Sequence, residues 1–455
     1  MSHGTLKELA NIVGGQLHGS DGLFLGISTD TRTLQAGELF IALRGPNFNG
    51  DDFVTAAHKQ GAAGCLVGSL VAGDAPQVVV DDTLAALGIY AHHWRSARDV
   101  KVVAVTGSNG KTTVKDMIAS ILRRIGRTHA TQGNLNNEIG VPLTLLALED
   151  RHQLAVIEMG ANHPGEIARL TAMAAPQVGV VTNAGPAHLE GFGSVAGVAR
   201  AKGELYEGMS ADGTVVLNRD DHYFDLWRGI AGDRRVVTFG SHAKADFCAR
   251  EIIQHTNGHG DGLRIVLETP DCECVIKLPL PGQHNGVNAA AAAAAAWAAG
   301  ADSYSIVAGL QKVKPSAGRL AIHRVRCGAR LIDDTYNANP GSLQVALDFL
   351  AAQPGKAWLV LGDMGELGED TRALHAHIGE RAKIAGVERL FALGPLSAVA
   401  AESFGPGAEQ FGDADQLIAA LRAELHDGVN LLLKASRAMH FEHVTDALID
   451  DGEQG

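Results

Sequence analysis

Short apolar runs of four or five residues alternate along this chain with stretches in which apolar positions recur every three or four residues. The first pattern predicts strands and the second helices, so the chain reads as an α/β protein. In the first hundred residues, Phe40-Ile-Ala-Leu43, Gly64-Cys-Leu-Val67 and Gln77-Val-Val-Val80 read as strands, and Phe53 to Gln60 and Thr83 to Ala97 have helical spacing. This small α/β unit ends near the charged stretch Arg95 to Lys101. A second unit opens on Val102-Val-Ala-Val105, continuous in the manner of a parallel strand covered on both faces. A helix is predicted over Thr113 to Arg124, and further strands over Leu154 to Ile157, Val178 to Val181, Thr214 to Leu217 and Arg235 to Thr238. Their alternation with helices implies right-handed crossovers and a mainly parallel sheet. From about Asp246 to Lys277 strand follows strand, which predicts an antiparallel extension.

Asn288 precedes eight consecutive alanines, Ala289 to Ala296, with Gly300 as a plausible stop. Alanine has the best helix propensity, so this reads as a close-packed helix capped by Asn288. Lys314-Pro-Ser-Ala-Gly318 is a linker candidate, and a third α/β unit follows with strands at Ala329 to Asp333, Ala357 to Leu361, Leu390 to Leu393 and Val429 to Lys434. The expected architecture is therefore three domains, residues 1–98, 99–315 and 316–455, with no repeat period that would signal a solenoid.

Composition changes this picture only by exclusion. The chain has 455 residues, 46% hydrophobic and 20% charged, enough to bury several separate cores. Its 38 Lys and Arg against 51 Asp and Glu give a net charge of −13, which argues against nucleic acid or an anionic membrane as a partner. An anionic substrate remains open, since a few basic residues and a helix N-terminus make a local positive site. The five cysteines do not form a disulfide framework, and Cys272 and Cys274 read as neighbours on one strand face in preference to a metal site. The opening Met-Ser-His-Gly-Thr-Leu-Lys-Glu lacks a signal-peptide pattern, and the longest uncharged apolar run, Val287 to Ala301, is shorter than the ~20 residues a membrane helix needs. A cytoplasmic, monomeric enzyme is the expectation.

The strongest chemical signal is Thr106-Gly-Ser-Asn-Gly-Lys-Thr-Thr113 between an apolar strand and a helix. Glycines let backbone N–H groups converge on phosphate oxygens, and the helix start adds partial positive charge. In such a loop Lys111 reaches the β- and γ-phosphates and the Thr112 hydroxyl ligates Mg²⁺. Val105 stands where the eight-residue P-loop pattern has glycine. A P-loop pairs with an acidic residue at the end of a neighbouring strand, and Glu158 after Leu154-Ala-Val-Ile157 fills that place. His188 follows the strand Val178 to Thr182 at the carboxyl edge of the sheet, where ligands bind, though an isolated loop histidine is more often structural. Lys202 in Ala201-Lys-Gly-Glu204 reads, on its spacing, as part of a solvated helix face. Three polar loops end strands of the third unit: Asp333-Asp-Thr-Tyr-Asn-Ala-Asn-Pro340, Gly362-Asp-Met-Gly-Glu-Leu-Gly368 and Lys434-Ala-Ser-Arg437. They suggest a second binding edge facing the nucleotide.

At these residues the chain resembles the Mur ligases, the ATP-dependent amino-acid-adding enzymes of peptidoglycan synthesis. The resemblance takes in Ser28-Thr-Asp-Thr-Arg32 with Gly37-Glu-Leu-Phe40, the P-loop, Gly133 to Pro142, Glu158-Met-Gly160 and Asn183 to Gly193. It continues through Ala201 to Glu204, Gly282-Gln-His-Asn285 with Asn288, Gly318-Arg-Leu320 and the loops at Asp333 and Gly362. It implies a UDP-binding N-terminal domain, a central ATPase and a C-terminal Rossmann-like domain closing over the site. It also implies a substrate carboxylate phosphorylated by ATP to an acyl phosphate, which an incoming amine then attacks. By the same resemblance Thr106, Gly107, Ser108, Asn109, Gly110, Lys111, Thr112, Thr113, Asn288 and Arg319 contact the nucleotide, and Asp333 makes a ribose or domain-closure contact. Lys111 neutralises the transferring phosphoryl group, Thr112 and Glu158 hold one Mg²⁺, and His188 with a carbamylated Lys202 holds a second. Asp30, Thr31, Arg32 and Asn137 contact the UDP-sugar-peptide. Tyr336, Asn337 and Asn339 belong to the run Tyr336-Asn-Ala-Asn-Pro340, which points to the member that joins D-alanyl-D-alanine to UDP-N-acetylmuramoyl-tripeptide. Ala435, where members commonly have glycine, and Met439-His-Phe-Glu442 depart from the family pattern. The competing readings are a sister or folylpolyglutamate synthase-like ligase adding another amino acid, and a P-loop kinase or switch NTPase.

Overall fold

Strands that are apolar on both faces have to lie inside a sheet covered on both sides, and the middle of this molecule is built around such strands. A computed structural model describes residues 3–45, 48–257 and 260–449. Met1 and Ser2 of the opening octet, and residues 258 and 259 within the predicted antiparallel stretch, lie outside these. Nine strands form the central sheet, in the order Thr128–Ala130, Leu154–Glu158, Lys101–Thr106, Val178–Val181, Thr214–Asn218, Arg235–Gly240, Phe247–Asn257, Gly260–Glu268, Glu273–Leu278. Every neighbouring pair up to Phe247–Asn257 is parallel, and only the last two pairings are antiparallel. The last three strands form the expected antiparallel extension, joined to the parallel sheet through the parallel pairing of Phe247–Asn257 with Arg235–Gly240. Cys274 lies on the last strand and Cys272 in the turn before it, with their sulfurs 3.5 Å apart.

A five-stranded sheet precedes this one and a six-stranded sheet follows, so the three expected α/β units are present. The C-terminal sheet is parallel except for its edge strand Ala321–Arg324, which runs antiparallel to Arg330–Asp333. None of the helices among the described residues is long and apolar enough to cross a membrane.

Two features depart from the sequence reading. First, the N-terminal unit keeps a small core of its own around Leu34, Phe40, Val54 and Val67, but its larger apolar cluster is shared with the central unit. One buried apolar cluster runs from Leu6, Leu39 and Leu87 through Ala104 and Ile157 to Trp227. Helix Thr83–Ser96 packs on Gly140–Leu146 and Glu166–Ala174 of the central unit, and its Gly88 comes so near Met173 that a Cβ there would lie 2.6 Å from the methionine methyl. Second, the alanine-rich helix spans His284–Ala298, so Asn288 stands inside it and does not cap it. Turn bonds from the Asn285 and Gly286 amides to the Gly282 and Gln283 carbonyls start the helix five residues earlier. All eight alanines are buried against the sheet and the helix Lys111–Leu122. The missing side-chain bulk lets that helix approach closely, and adding methylenes there would cost about 1–3 kcal/mol per site.

Candidate active site

Parallel strands end together, so loops far apart in sequence gather at the carboxyl edge of the central sheet. Lys101–Thr106 pairs with Leu154–Glu158 on one side and Val178–Val181 on the other, which brings the P-loop, Glu158 and the segment leading to His188 side by side. Gly107 turns the chain at φ +143°, and a Cβ there would sit 1.9 Å from the Thr182 hydroxyl. Gly110 at φ +80° opens helix Lys111–Leu122, and its Cβ would meet the end of Asn288 at 2.8 Å. The first obstacle is anchored, since Thr182 Oγ1 donates to the Asn109 carbonyl at 2.6 Å; the second is a side-chain tip. Gly107→Ala is therefore expected to cost roughly 2–3 kcal/mol and Gly110→Ala about 1 kcal/mol. Chemical denaturation of the two variants checks this, and an equal or reversed ranking would refute it.

The loop is clamped before any phosphate arrives. The Asn109 amide donates to Asn183 Oδ1, Ser108 Oγ exchanges bonds with Gly185, and the Thr106 hydroxyl donates to the Met159 carbonyl. Thr106 is thereby used within the fold, and its carbonyl also accepts the Thr182 amide. Lys111 Nζ donates to the Gly107 and Ser108 carbonyls at 2.7 and 3.1 Å. Its burial lowers its pKa to about 8, against the opposing pull of Glu158.

Glu158 is almost fully buried. Asn136 donates to its Oε1 at 2.8 Å, while its Oε2 has no hydrogen-bond partner among the described residues. An unsatisfied buried acceptor costs about 1–3 kcal/mol, more when charged, so this oxygen is one that could take a cation. Lys202, expected on a solvated face, is 1% exposed. The helix Val195–Glu207 turns it inward, where its nearest acceptor is the Ala161 carbonyl at 3.4 Å and its ammonium lies 5.3 Å over the Phe192 ring. Burial, then repulsion from Lys111, lowers its pKa to about 7. His188 stands edge-on to the same Phe192 ring, and its Nδ1 bonds the Glu366 carboxylate from the third domain. That bond holds the Glu366 carboxyl below its usual range. A carboxylate only accepts, so Nδ1 is the donor in this bond and Nε2 is the nitrogen left outside it.

The third domain closes the other side. Asn339 caps helix Pro340–Ala351 through the Ser342 amide and donates through Nδ2 to Asn109 of the P-loop at 2.9 Å. Arg319 donates to the Thr112 hydroxyl at 2.8 Å and lies 4.2 Å over the Tyr336 ring. A cavity of about 750 Å³ results, lined among others by Lys111, Glu158, His188, Asn288, Arg319 and Tyr336. Thr113, Asn137, Asn337 and Asn339 also reach it. Asn288 donates to Asn285 Oδ1, facing the P-loop from its own helix.

Two groups of expected contacts are not brought there. Asp30 and Arg32 form a bidentate ion pair with each other on the exposed surface of the first domain, and neither they nor Thr31 line the cavity. Asp333 is buried and spends both oxygens within the fold, on the Gly318 amide and on Thr335. Its neighbour Asp334 faces the cavity instead, paired at 2.5 Å with Lys434. His284 joins this pair at the cavity wall, and burial lowers its pKa to about 4. Asn136, Asp334, His284 and Glu366 are residues around the site that spacing did not single out, although all four stand in motifs already quoted.

Comparison with known proteins agrees with this geometry. Residues 105–296 match the Mur ligase middle domain and residues 318–437 the Mur ligase glutamate ligase domain. The chain is 43% identical over 98% of its length, and 99% of the relative's, to the UDP-N-acetylmuramoyl-tripeptide–D-alanyl-D-alanine ligase of Escherichia coli strain K12. The chain belongs to the Mur ligases. Among solved Mur ligases, MurF from Acinetobacter baumannii superposes with a TM-score of 0.91 at 33% identity, covering 98% of both chains. MurF from Thermotoga maritima, crystallised with ADP, superposes with a TM-score of 0.84 at 27% identity, over 94% of this chain and 98% of that one. These Mur ligases cover the N-terminal domain as well, which neither family segment reaches.

Proposed function

We propose that this Mur ligase joins D-alanyl-D-alanine to UDP-N-acetylmuramoyl-tripeptide at the expense of ATP, releasing ADP and phosphate and giving the pentapeptide precursor of peptidoglycan. The observation that carries the reading is one cavity in which a P-loop lysine, an orphaned buried carboxylate oxygen and the Tyr336 to Asn339 run meet. The full-length relative that bears this ligase's name supports the choice of substrates. We take residues 1–98 as the precursor-binding domain, 99–315 as the ATP-binding domain and 316–455 as the domain bringing the dipeptide. ATP and a nucleotide-linked precursor place the reaction in the cytoplasm.

The chemistry asks the protein for positioning and charge. Lys111 turns from its own loop carbonyls to the phosphates and holds the γ-phosphoryl group while the tripeptide carboxylate attacks it. Asn288 and Arg319 flank the nucleotide, and Asn339 ties the dipeptide-bearing domain to the P-loop. In the acyl phosphate so formed, the dipeptide amine attacks the carbonyl carbon and phosphate leaves. Asp333 supports the nucleotide edge indirectly, by holding Gly318 beside Arg319.

The donor set fits divalent magnesium, a hard cation that takes oxygen ligands. Glu158 Oε2 and Thr112 would hold one ion, which requires Arg319 to release the Thr112 hydroxyl. Bound magnesium would neutralise charge on the phosphoryl oxygens. His188 and Lys202 would hold a second ion. Lys202 can do so only as a carbamate: its neutral amine adds to CO₂, a C–N bond forms, and the proton leaves to solvent. The depressed pKa near 7 keeps enough neutral amine for that step. Asp30, Thr31, Arg32 and Asn137 are assigned to the precursor, with the first three serving its nucleotide end outside the cavity.

Mixing the enzyme, ATP, Mg²⁺ and UDP-N-acetylmuramoyl-tripeptide is expected to give ADP release that D-alanyl-D-alanine stimulates strongly. Diaminopimelate or lysine offered with the dipeptide precursor should give none. The reverse pattern would move the chain to a sister activity.

A further inference from the structure

His188 and Glu366 are 178 residues apart and belong to different domains, yet their side chains bond each other, and His188 lines the cavity. Both residues adopt a left-handed backbone, at φ +53° for His188 and +61° for Glu366. Side chains other than glycine rarely accept that conformation, and it persists where surrounding structure enforces it, commonly at functional sites. A plain surface ion pair would need neither distortion and would contribute little.

The surroundings of Glu366 are unusually firm. Met364 and Leu367, on either side of it, are buried in the third domain's core. The Met364 amide donates to Nε2 of the fully buried His375, whose Nδ1 bonds the Thr371 carbonyl. Asp363 Oδ1 accepts the Leu396 and Ser397 amides, and its carbonyl accepts the Ser436 amide. The loop from Gly362 to Gly368 is therefore a rigid arm with one carboxylate at its tip. That tip docks beside helix Leu189–Phe192: the Glu190 amide points to the Glu366 carbonyl at 3.5 Å, and a Cβ on Gly368 would touch the Glu190 backbone at 3.7 Å.

On the reading that His188 binds a metal ion, we infer that Glu366 is the positioning residue for that ligand. Accepting the Nδ1 proton fixes the ring's tautomer and orientation and leaves Nε2 as the atom that binds the cation. Ligating histidines generally need such a partner on the far nitrogen. Here the partner comes from another domain, so the second ion's site is complete only when the third domain is docked. Ion binding and domain closure are thereby one event, and the ordering of His188 reports that the dipeptide-bearing domain has arrived.

Mn²⁺ titration of the full-length enzyme with a non-hydrolysable ATP analogue and UDP-N-acetylmuramoyl-tripeptide, followed by electron paramagnetic resonance, tests this. His188→Ala is expected to abolish one class of bound ion. Glu366→Ala is expected to weaken the same class roughly 10- to 100-fold. The double variant should be no weaker than His188→Ala, because the two act as a unit. Glu366→Gln keeps an acceptor oxygen and should recover part of the loss. Unchanged Mn²⁺ binding in Glu366→Ala, or additive losses in the double variant, would overturn the inference alone. A glutamine variant as weak as alanine would assign the effect to charge and overturn it too. If His188→Ala binds Mn²⁺ normally, the reading of His188 as a ligand fails first and this inference with it. Thermal unfolding of each variant confirms that a folded protein is being compared.

Discussion

Replacing Lys111 with alanine is expected to lower kcat/KM for the ligation by roughly 10³-fold or more. The reason is that almost nothing else on the P-loop carries positive charge where the phosphoryl group must sit. Lys111 is the cation whose ammonium already lies among the Gly107 and Ser108 carbonyls, and Arg319 on the opposite wall is engaged with Thr112 and Tyr336. Removing a preorganised charge from a water-poor site costs about 10²- to 10⁵-fold in comparable phosphoryl transfers. Arginine is not expected to substitute, since its planar fork is wider than the space between two loop carbonyls 2.7 and 3.1 Å from the ammonium. Stability should stay close to wild type, because the lysine tops the loop and fills no core position. Steady-state phosphate release under saturating ATP, precursor and dipeptide reads the first quantity, and thermal unfolding reads the second. A variant that keeps a tenth of wild-type kcat/KM would remove Lys111 from the transition state.

Lys202→Ala carries the second large effect, a loss of roughly 10²-fold or more in kcat. A buried ammonium next to a P-loop lysine would repel the magnesium ion proposed for this site. On the reading proposed above, carbamylation would resolve the conflict by turning the amine into an anion. Alanine leaves room where the side chain was, so formate or acetate should enter and restore part of the activity; a fully active alanine variant would end the carbamate reading. Wild-type enzyme should also lose activity when stripped of CO₂ and bicarbonate and regain it when they return. The two lysines are linked. Lys111 is the second cause, after burial, of the depressed Lys202 pKa. In Lys111→Ala the Lys202 pKa should therefore rise, the neutral amine should become scarcer near pH 7, and incorporation of ¹³CO₂ should fall. An unchanged ¹³C carbamate signal in that variant would show that burial alone keeps Lys202 neutral.

Much of the site was legible from local pattern because its parts are local. A strand, two glycines, a lysine and a helix are neighbours in sequence, and the glycines are required by the turn itself, as Gly107 at φ +143° shows. Glu158 was legible because a strand's last residue must project from the sheet edge. Lys202 was not: its helix periodicity suits a solvated face, and only the packing of Phe192 and the Ala161 segment around it turned that face inward. Asp333 and Asp334 show the same limit at closer range. They are adjacent, equally acidic and equally plausible, and the pairing of Arg330–Asp333 with Val429–Lys434 decides that Asp334 meets Lys434 while Asp333 turns to the linker.

The amino-acid sequence alone thus determined the α/β class, the order of three units, the phosphate loop and its acidic strand-end partner. Each follows from backbone conformation and periodicity within a few dozen residues. The tertiary structure decided which of the polar loops share a cavity, that Lys202 is buried, and that Glu366 meets His188 across a domain boundary. Those facts depend on how whole domains dock, and no local spacing encodes a contact between side chains 178 residues apart.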